Sequence, residues 1–302
     1  MIAHRGYSMA APENTLAAFE AALVAGADLL ELDVHVDGDG VPVVIHDDTL
    51  DRTTDATGPV AAFSSRQLRA VDAGSWFSPD FAGQRVPTLR EVVDLTARYP
   101  GVGLLVEFKG RWSPDQVAVA VQVIRDGGIA EVSLLQSFDR ATVASLREVA
   151  PDVRRGLLVL APGPVVPHEE LPAAFRAVAH DPFGALVSAV GAALAQAEQA
   201  RAALGVVTVN PYVAAIAARP EVVAEYHAAG VQTMPYTVDD PQLWRELLVA
   251  GVDAIITNDP GRLRGYLTAR EHRRDQDGPA LERADLTRLA VRQGRMPERV
   301  PA

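Results

Sequence analysis

The fold prediction starts from Leu29–Val36, LLELDVHV, and its return arm at residues 41–47, VPVVIHD. Apolar, branched residues on both sides of the turn DGDG predict two β-strands joined as a hairpin. Strand side chains alternate between faces, so Glu31 and Asp33 point the same way. Two carboxylates side by side on a buried strand are costly unless a partner neutralises them. Because the neighbouring residues are apolar, this pattern favours a site over a solvated strand face.

The register of the hairpin predicts a histidine beside these carboxylates. A turn centred after Asp39 pairs Val36 with Val43, and therefore Asp33 with His46. Directly opposed residues lie about 5 Å apart at Cβ. The DGDG turn lacks the later Gly and Glu of a calcium-binding loop, so we interpret it as a turn only. The hairpin thus predicts a metal-and-base site, without yet indicating a reaction.

Strand and helix patterns alternate on both sides of the hairpin, which is typical of a parallel α/β sheet. With the return arm counted with its parent strand, eight parallel strands are predicted, at residues 1–6, 29–36, 103–109, 132–138, 156–160, 206–210, 232–238 and 253–258. Eight such units indicate an α/β fold of the (β/α)8 TIM-type barrel class. The stretch 161–204 is weakly patterned and contains an Ala-rich helix, and an extra strand at 185–190 would make nine.

Three segments define the predicted domain organisation. Residues 1–267 form the barrel domain, and residues 51–87, rich in Thr, Ser, Gly and Pro, form a small inserted subdomain or lid after the second strand. Residues 268–302 are rich in Arg, Asp and Glu and are predicted as a polar C-terminal tail, with a short helix at 280–293 as the one structured alternative.

Composition excludes several classes of function. The chain has 302 residues, 48% of them hydrophobic, which is enough for a sizeable core. It has no cysteine, so disulfides, zinc–thiolate sites and thiol catalysis are excluded. The net charge of −11 argues against nucleic acid or an anionic membrane as the main partner. No apolar run is long enough to span a bilayer, and no signal-peptide pattern precedes the first strand, so we expect a cytoplasmic protein.

One strand end carries an unusual cation. Among 28 basic residues, Lys109 is the only lysine, and it shares a strand face with Glu107. A lone lysine in an arginine-rich chain indicates a position that needs a compact ammonium group. An intrastrand ion pair between Glu107 and Lys109 is the structural alternative.

Functional side chains of such barrels gather at the carboxyl ends of the strands. Here the predicted set comprises His4, Arg5, Glu31, Asp33, Glu107 and Lys109, with His46 on the hairpin arm. Three converging carboxylates indicate a hard divalent cation, Ca2+ or Mg2+ rather than zinc. Two cationic side chains beside it favour an anion, and two histidines supply a general acid and a general base, as cleavage of a phosphodiester requires. For His4, a packed core histidine is the alternative.

Two aromatic residues are candidates for the substrate pocket, Tyr236 and Phe138. Aromatic residues at such positions are more often core or wall residues than substrate contacts. Tyr236 is the better candidate, because it ends a strand.

A series of motifs resembles the glycerophosphodiester phosphodiesterase family, whose barrels are similar to those of phosphatidylinositol phospholipases C. The matching motifs are HRG at 4–6, PENT at 12–15, ELDV at 31–34, DG at 39–40 before HD at 46–47, DRTT at 51–54, PTL at 87–89, EFK at 107–109, SF at 137–138, YTV at 236–238, GVD at 251–253 and IT at 256–257. Each motif is weak by itself, but their order and spacing from residue 1 to about residue 265 are specific.

The resemblance implies a barrel with an inserted subdomain and one divalent cation. It implies metal ligands at Glu31, Asp33 and Glu107, a catalytic pair of His4 and His46, and phosphate contacts from Arg5 and Lys109. The implied reaction is hydrolysis of glycerophosphodiesters, small-molecule substrates of lipid and glycerol metabolism, to an alcohol and glycerol 3-phosphate.

Two alternatives to this function remain open. A lysophospholipase D-like enzyme would need an apolar approach for an acyl chain, which Trp76, Phe77 and Phe81 of the insert would supply if they do not pack the insert instead. A non-catalytic barrel that binds phosphate is the second alternative, and the full set of charged residues argues against it.

The chain departs from the family at two positions. It has Asp239 where the family usually has Asn, and Asn258 where the family usually has Asp. Because both follow late strands, away from the predicted metal ligands, we expect them to affect substrate detail rather than reaction type.

Overall fold

Strands near both ends of the chain are neighbours in one curled sheet. The computed structural model describes residues 1–159, 199, 201–218 and 220–277. Within them the strands are β1 (Ile2–Ala3), β2 (Leu29–Val36), β3 (Pro42–Val44), β4 (Gly103–Phe108), β5 (Leu134–Ser137), β6 (Arg154–Val159), β7 (Thr208–Pro211), β8 (Gln232–Thr233) and β9 (Ile256–Thr257). The order is β8-β7-β6-β5-β4-β2-β1-β9, all parallel, and β3 pairs with β2 in the antiparallel sense.

Backbone hydrogen bonds join the two ends of this order. The amide of Ile256 donates to the carbonyl of Pro235 at 3.1 Å, and the amide of Val238 donates to the carbonyl of Ile256 at 2.9 Å. The residues after β8 are therefore bonded to β9, which is itself paired with β1. The predicted α/β fold of the TIM-barrel type is confirmed.

Helices cover the outside of the sheet, apart from Ser65–Leu68, which belongs to the insert. They span Leu16–Val24, Ser65–Leu68, Leu89–Thr96, Pro114–Asp126, Arg140–Val149, Val213–Ala218, Val222–Ala228, Pro241–Ala250 and Pro260–Asp277. Thr88 and Ser113 begin their helices with capping boxes, which satisfy amide groups that a helix start leaves unpaired. The core lies between these helices and the sheet, with Phe19, Leu32 and Trp244 among its fully buried side chains. Across the described ranges, none of the helices has the length and apolar character needed to cross a bilayer.

The insert after the hairpin has a small core of its own. Val60, Leu68, Val71 and Val86 pack with residues of the return arm, including Ile45. The insert is thus seated directly on the arm that leads to His46. This packing places loop residues of the insert next to the carboxyl ends of β1 and β2.

The hairpin register differs from the prediction by one residue. Val36 pairs with Pro42 rather than with Val43. The loop has three residues instead of two, and its last residue, Gly40, has a φ of +83°, a conformation that glycine adopts without steric cost. The predicted pairing of Asp33 with His46 is therefore wrong, because the amide of Ile45 bonds to the carbonyl of Asp33, at 3.0 Å.

One predicted segment boundary can be compared with a helix of the structure. The boundary at residue 267 falls inside the helix Pro260–Asp277, so this helix continues into the segment predicted as a tail. The predicted ninth strand at 185–190 and the predicted helix at 280–293 lie outside the described residues.

Candidate active site

Three buried carboxylates meet at the carboxyl ends of β2 and β4. Glu31, Asp33 and Glu107 are 2%, 1% and 7% exposed, and one oxygen of each lies within 4.8 Å of the others. Asp33 and Glu107 are register partners on the two strands, whereas Glu31 precedes Asp33 by two residues on the same face. The alternation read from the sequence therefore produces the predicted cluster.

Burial and the mutual repulsion of the three carboxylates raise the pKa values of both glutamates. Burial, followed by the charges of Asp33 and Glu107, raises the pKa of Glu31 well above its ordinary value. Burial also raises the pKa of Glu107 to about 7, although Lys109 opposes the shift. Burial acts the same way on Asp33, but Lys109 and Arg5 outweigh it and hold the pKa of Asp33 below its usual range.

The donor set fits a hard divalent cation. Oδ1 of Asp33 is buried and accepts no hydrogen bond within the described structure. Three carboxylate ligands without nitrogen or sulfur donors are what Ca2+ and Mg2+ prefer in proteins. A cation there would relieve the repulsion that raises the two glutamate pKa values.

Arg5, in the turn after β1, and Lys109, directly after β4, flank the carboxylates. Lys109 Nζ lies 2.7 Å from Glu107 Oε1 and 3.3 Å from Asp33 Oδ1. Arg5 Nε lies 3.3 Å from Asp33 Oδ2. The ion pair between Glu107 and Lys109, considered above as a structural alternative, is present, and it forms part of the cluster. Two cations thus lie directly beside the three carboxylates.

A tight turn holds the predicted His–Arg pair. Arg5 has a φ of +55°, unusual for a residue with a side chain, and its amide donates to Glu31 Oε2 at 2.9 Å. Gly6 has a φ of +81°, and a Cβ there would come within 2.6 Å of the backbone of Ala18. Glycine therefore lets this turn pack directly on the helix Leu16–Val24.

His4 lies at the end of β1 with its two ring nitrogens in different surroundings. Nδ1 is 2.7 Å from Asn258 Oδ1, and Nε2 is 4.0 Å from Glu31 Oε2. Burial, and then the charge of Arg5, lowers the pKa of His4 to about 4. The imidazole is accordingly neutral at pH 7, with Nε2 on the side of the carboxylate cluster.

Asn258, expected to lie away from the predicted metal ligands, contacts His4 and Asp239. Its Nδ2 donates to Asp239 Oδ2 at 2.7 Å, and its backbone amide donates to Asp239 Oδ1 at 2.8 Å. An ionised carboxylate only accepts, so the amide oxygen of Asn258 must face His4, and His4 Nδ1 must carry the hydrogen. Asn258 therefore contacts a predicted catalytic histidine directly, and its expected effect on substrate detail rather than on reaction type stays a prediction.

His46 follows the return arm and is held by its neighbour. Its Nδ1 is 2.6 Å from Asp47 Oδ1, and its backbone carbonyl is 3.1 Å from His35 Nε2. Burial lowers the pKa of His46, although the charge of Asp33 opposes the shift. His46 also lowers the pKa of His4, which places both imidazoles in one electrostatic environment. Despite the wrong register, the structure brings His46 to the cluster.

Several supporting residues have no role in the sequence analysis. Asn14 donates through Nδ2 to Asp33 Oδ2 at 2.9 Å, while Thr15 caps the helix Leu16–Val24. Glu13 accepts from Arg5, and Arg52 bonds both Glu13 and Asp47. The motifs PENT and DRTT signalled these positions, but only as matches to a family.

Aromatic rings form a wall next to Glu107. Tyr236 lies edge-on to Phe138 and to Tyr212, with ring centroids 6.1 and 6.2 Å apart, and its hydroxyl donates to the carbonyl of Val159 at 3.0 Å. Burial, and then the charge of Glu107, raises the pKa of Tyr236. The two predicted pocket residues therefore lie together beside the carboxylates, and Tyr212 adds an exposed third ring.

The aromatic residues of the insert pack on one another. Phe77 makes edge-to-face contacts with Trp76 and Phe81, at centroid distances of 5.7 and 5.6 Å. Trp76 Nε1 donates to the carbonyl of Ala73 at 3.0 Å, and 41% of Trp76 remains exposed. These contacts agree with packing of the insert, the simpler of the two explanations for these rings.

Comparison with known proteins gives consistent matches. The model of the glycerophosphoryl diester phosphodiesterase family matches residues 4–262. A glycerophosphodiester phosphodiesterase of Caldanaerobacter subterraneus is 34% identical over 265 residues, which are 87% of this chain and 95% of the relative. The relative YhdW of Bacillus subtilis is 44% identical over 156 residues, which are 51% of this chain and 63% of YhdW.

A solved structure extends the match to three dimensions. The phosphodiesterase OLEI02445 of Oleispira antarctica, in complex with the product sn-glycerol-3-phosphate, is 28% identical with a TM-score of 0.71, over 88% of this chain and 96% of that one. These matches confirm the resemblance drawn from the sequence motifs.

Proposed function

The chain belongs to the glycerophosphoryl diester phosphodiesterase family, and on that premise we propose that it hydrolyses glycerophosphodiesters to an alcohol and glycerol 3-phosphate. The observation that carries the proposal is the cluster of Glu31, Asp33 and Glu107, with its oxygens within 4.8 Å and with Arg5 and Lys109 beside it. The product bound in the Oleispira antarctica neighbour, sn-glycerol-3-phosphate, supports the same reaction.

Binding of the phosphodiester is assigned to the cluster and its cations. Glu31, Asp33 and Glu107 would hold one Ca2+ or Mg2+, which when bound stabilises the negative charge on the phosphate oxygens. Arg5 and Lys109 would donate to the non-bridging oxygens of the same phosphate. Phe138 and Tyr236 would line the pocket for the groups esterified to it.

Proton transfer is assigned to His4 and His46. Each has Nδ1 engaged, with Asn258 and Asp47 respectively, so each presents Nε2 to the substrate. One imidazole removes the proton from the attacking oxygen, and the other gives a proton to the oxygen of the leaving alcohol. The attacking oxygen belongs either to water or to a hydroxyl of the substrate's own glycerol, which would first form a cyclic phosphate.

The test is release of glycerol 3-phosphate from a panel of soluble glycerophosphodiesters. We expect no release with a chelator, and release after Ca2+ or Mg2+ is added back. A cyclic phosphate seen early in the reaction would identify the substrate hydroxyl as the nucleophile. Absence of release with either cation would contradict the proposal.

A matched pair of histidine variants separates catalysis from folding. His46→Ala should lower kcat by about 100-fold or more, as general acid–base catalysis contributes about 10²–10⁴-fold. His227 forms a comparable pair with Asp253, at 2.9 Å, away from the cluster, so His227→Ala should leave kcat unchanged. Equal losses in both variants would point to a general effect on folding.

Two alternative functions and the predicted location can also be tested. Lysophospholipid micelles in the same panel test the lysophospholipase D alternative, which predicts faster turnover of micelles than of soluble diesters. Saturable turnover by the unmodified chain would eliminate the non-catalytic barrel. The cytoplasmic location stays a prediction, which fractionation of cells would test.

A further inference from the structure

Arg52, at the start of the insert, bonds two carboxylates at once. Its Nε and Nη2 donate to Asp47 at 2.7 and 3.0 Å. Its Nη1 and Nη2 donate to Glu13 at 2.9 and 2.8 Å. All three nitrogens of the guanidinium group are therefore engaged in one planar arrangement that a lysine ammonium does not reproduce.

Each of these carboxylates also contacts a predicted site residue. Asp47 Oδ1 is 2.6 Å from His46 Nδ1, and Glu13 Oε1 accepts from Arg5 Nη1 at 2.8 Å. Arg52 is thus one side chain away from a proton-transfer group and one side chain away from a phosphate-binding group. Arg52 therefore connects His46 and Arg5 through the carboxylates of Asp47 and Glu13.

Stability alone is a weak explanation for this arrangement. The Arg52 side chain is 44% exposed, and solvent screens ion pairs at such positions, although bidentate networks are the geometry in which they contribute most. A bidentate guanidinium–carboxylate pair does fix the relative orientation of its two groups. Orientation of reacting groups is what an enzyme site depends on.

We propose that Arg52 is a positioning residue, which orients His46 through Asp47 and Arg5 through Glu13. The inference rests on the proposed function, because a phosphodiester substrate gives His46 and Arg5 their roles. It also gives the insert a function, since the insert contributes Arg52 and packs against the arm that leads to His46.

The Asp47 branch determines which nitrogen of His46 carries the proton. Hydrogen bonds from Arg52 hold the pKa of Asp47 well below its ordinary value, so this carboxylate is ionised and only accepts. His46 Nδ1 must then carry the hydrogen, and Nε2 is left free to exchange a proton with the substrate.

The Glu13 branch limits the movement of Arg5. Glu13 Oε1 receives hydrogen bonds from Arg52 and from Arg5, so this carboxylate is held from two sides. Arg5 Nε meanwhile lies 3.3 Å from Asp33 Oδ2. Without Arg52, Glu13 and the guanidinium group of Arg5 gain rotational freedom, and binding of the phosphate should weaken.

The experiment compares Arg52→Met and Arg52→Lys with Arg85→Met. Arg85 belongs to the same insert and is 45% exposed, with Asp72 at 3.8 Å as its acidic neighbour, so it matches Arg52 in exposure but not in contacts. Release of glycerol 3-phosphate is measured with the divalent cation that supports the unmodified chain. We expect both Arg52 variants to lose about 10–100-fold in kcat, as supporting residues around a site typically do, with a raised KM. Arg85→Met should match the unmodified chain.

A spectroscopic measurement separates positioning from a structural role. In 15N spectra of the histidine rings, His46 is identified by the signal that disappears in His46→Gln. We expect a single Nδ1–H form in the unmodified chain and in Arg85→Met, and a mixture of tautomers in Arg52→Met. A merely structural role would lower the Tm of Arg52→Met and leave this tautomer signal in place.

The outcomes distinguish this inference from the proposed function. If the unmodified chain releases no glycerol 3-phosphate, the proposed function fails, and the tautomer measurement still tests Arg52. If the unmodified chain is active but Arg52→Met keeps kcat and KM within twofold, the inference is overturned. If Arg52→Met does not fold, Arg52→Lys gives the same test with the charge retained.

Discussion

At the end of β9 a neutral amide holds His4, whereas on the hairpin arm a carboxylate holds His46. Asn258 accepts from the first imidazole and Asp47 from the second, at 2.7 and 2.6 Å. The acceptor is oriented in both regions by a further charged residue, Asp239 in one and Arg52 in the other. The two regions therefore fix the same tautomer, with hydrogen on Nδ1, by different chemistry.

The difference follows from burial and from the charge already present. The side chain of His4 is 16% exposed and lies 4.0 Å from Glu31, within a cluster of three carboxylates. A fourth carboxylate in contact with His4 would add to an existing repulsion. The His46 side chain is 31% exposed, and there the charge of Asp47 is balanced by Arg52.

The largest effect is expected from a fourth carboxylate beside His4. In Asn258→Asp, the new carboxylate would face the carboxylate of Asp239 where an amide now donates at 2.7 Å. A buried acceptor that loses its donor costs about 1–3 kcal/mol, and repulsion adds to this. We expect a loss of about 100-fold in kcat, measured by release of glycerol 3-phosphate, together with a lower Tm.

The reciprocal double variant is the control for this prediction. Asn258→Asp combined with Asp239→Asn restores one amide and one carboxylate with their positions exchanged, which is the arrangement usual in the family. We expect it to recover Tm, because an amide again donates to a carboxylate, but to recover kcat only in part, because a fourth carboxylate still lies beside His4. A double variant as impaired as Asn258→Asp alone would mean that the neutral amide, rather than the pairing, is what His4 requires.

A smaller effect is expected when the second region is given the chemistry of the first. In Asp47→Asn, the side chain becomes an amide with one oxygen and one NH2 group. The NH2 group faces either a donor of Arg52 or the hydrogen on His46 Nδ1. Both orientations oppose donor to donor, so the tautomer of His46 is no longer fixed. We expect a loss of about tenfold in kcat, the lower end for supporting residues.

Combining Asp47→Asn with Arg52→Met tests whether the two residues act as a unit. Residues in one network show non-additive effects. The double variant should therefore lose little more in kcat than Arg52→Met alone, which already affects both Asp47 and Glu13. Fully additive losses would mean that Arg52 does not orient His46 through Asp47.

The site residues closest to the carboxylate cluster could be predicted because their sequence patterns are local. Strand alternation places Glu31 and Asp33 on one face, and motif order places His4, Arg5 and Lys109 at strand ends. These inferences need only the period of a strand and the rule that barrel sites lie at carboxyl ends. The hairpin loop has three residues and ends at Gly40, rather than two as predicted, and this difference shifts the register by one residue.

The supporting residues could not be predicted in the same way. Asn258 is 254 positions from His4, and Arg52 is 39 positions from Glu13, so no local pattern links either pair. Their roles depend on side-chain rotamers after the barrel has closed. Sequence position alone shows no sign of the contact between Asn258 and His4, which arises because β9 pairs directly with β1.

The smallest effects compare the backbone supports of the two histidines. Ser8 Oγ donates to the carbonyl of His4 at 2.9 Å, and His35 Nε2 lies 3.1 Å from the carbonyl of His46. A hydrogen bond of this kind contributes about 1 kcal/mol, so Ser8→Ala and His35→Ala should each lower kcat by about fivefold at most. Ser8 Oγ also lies 2.9 Å from Asn258 Oδ1, and its single hydrogen serves either acceptor, so we expect the larger loss in Ser8→Ala. Steady-state kinetics of both variants check this order. A larger loss of kcat in His35→Ala would mean that His46 depends on its backbone hydrogen bond more than His4 does. The ion pair between Asp47 and Arg52 would then be insufficient to hold His46.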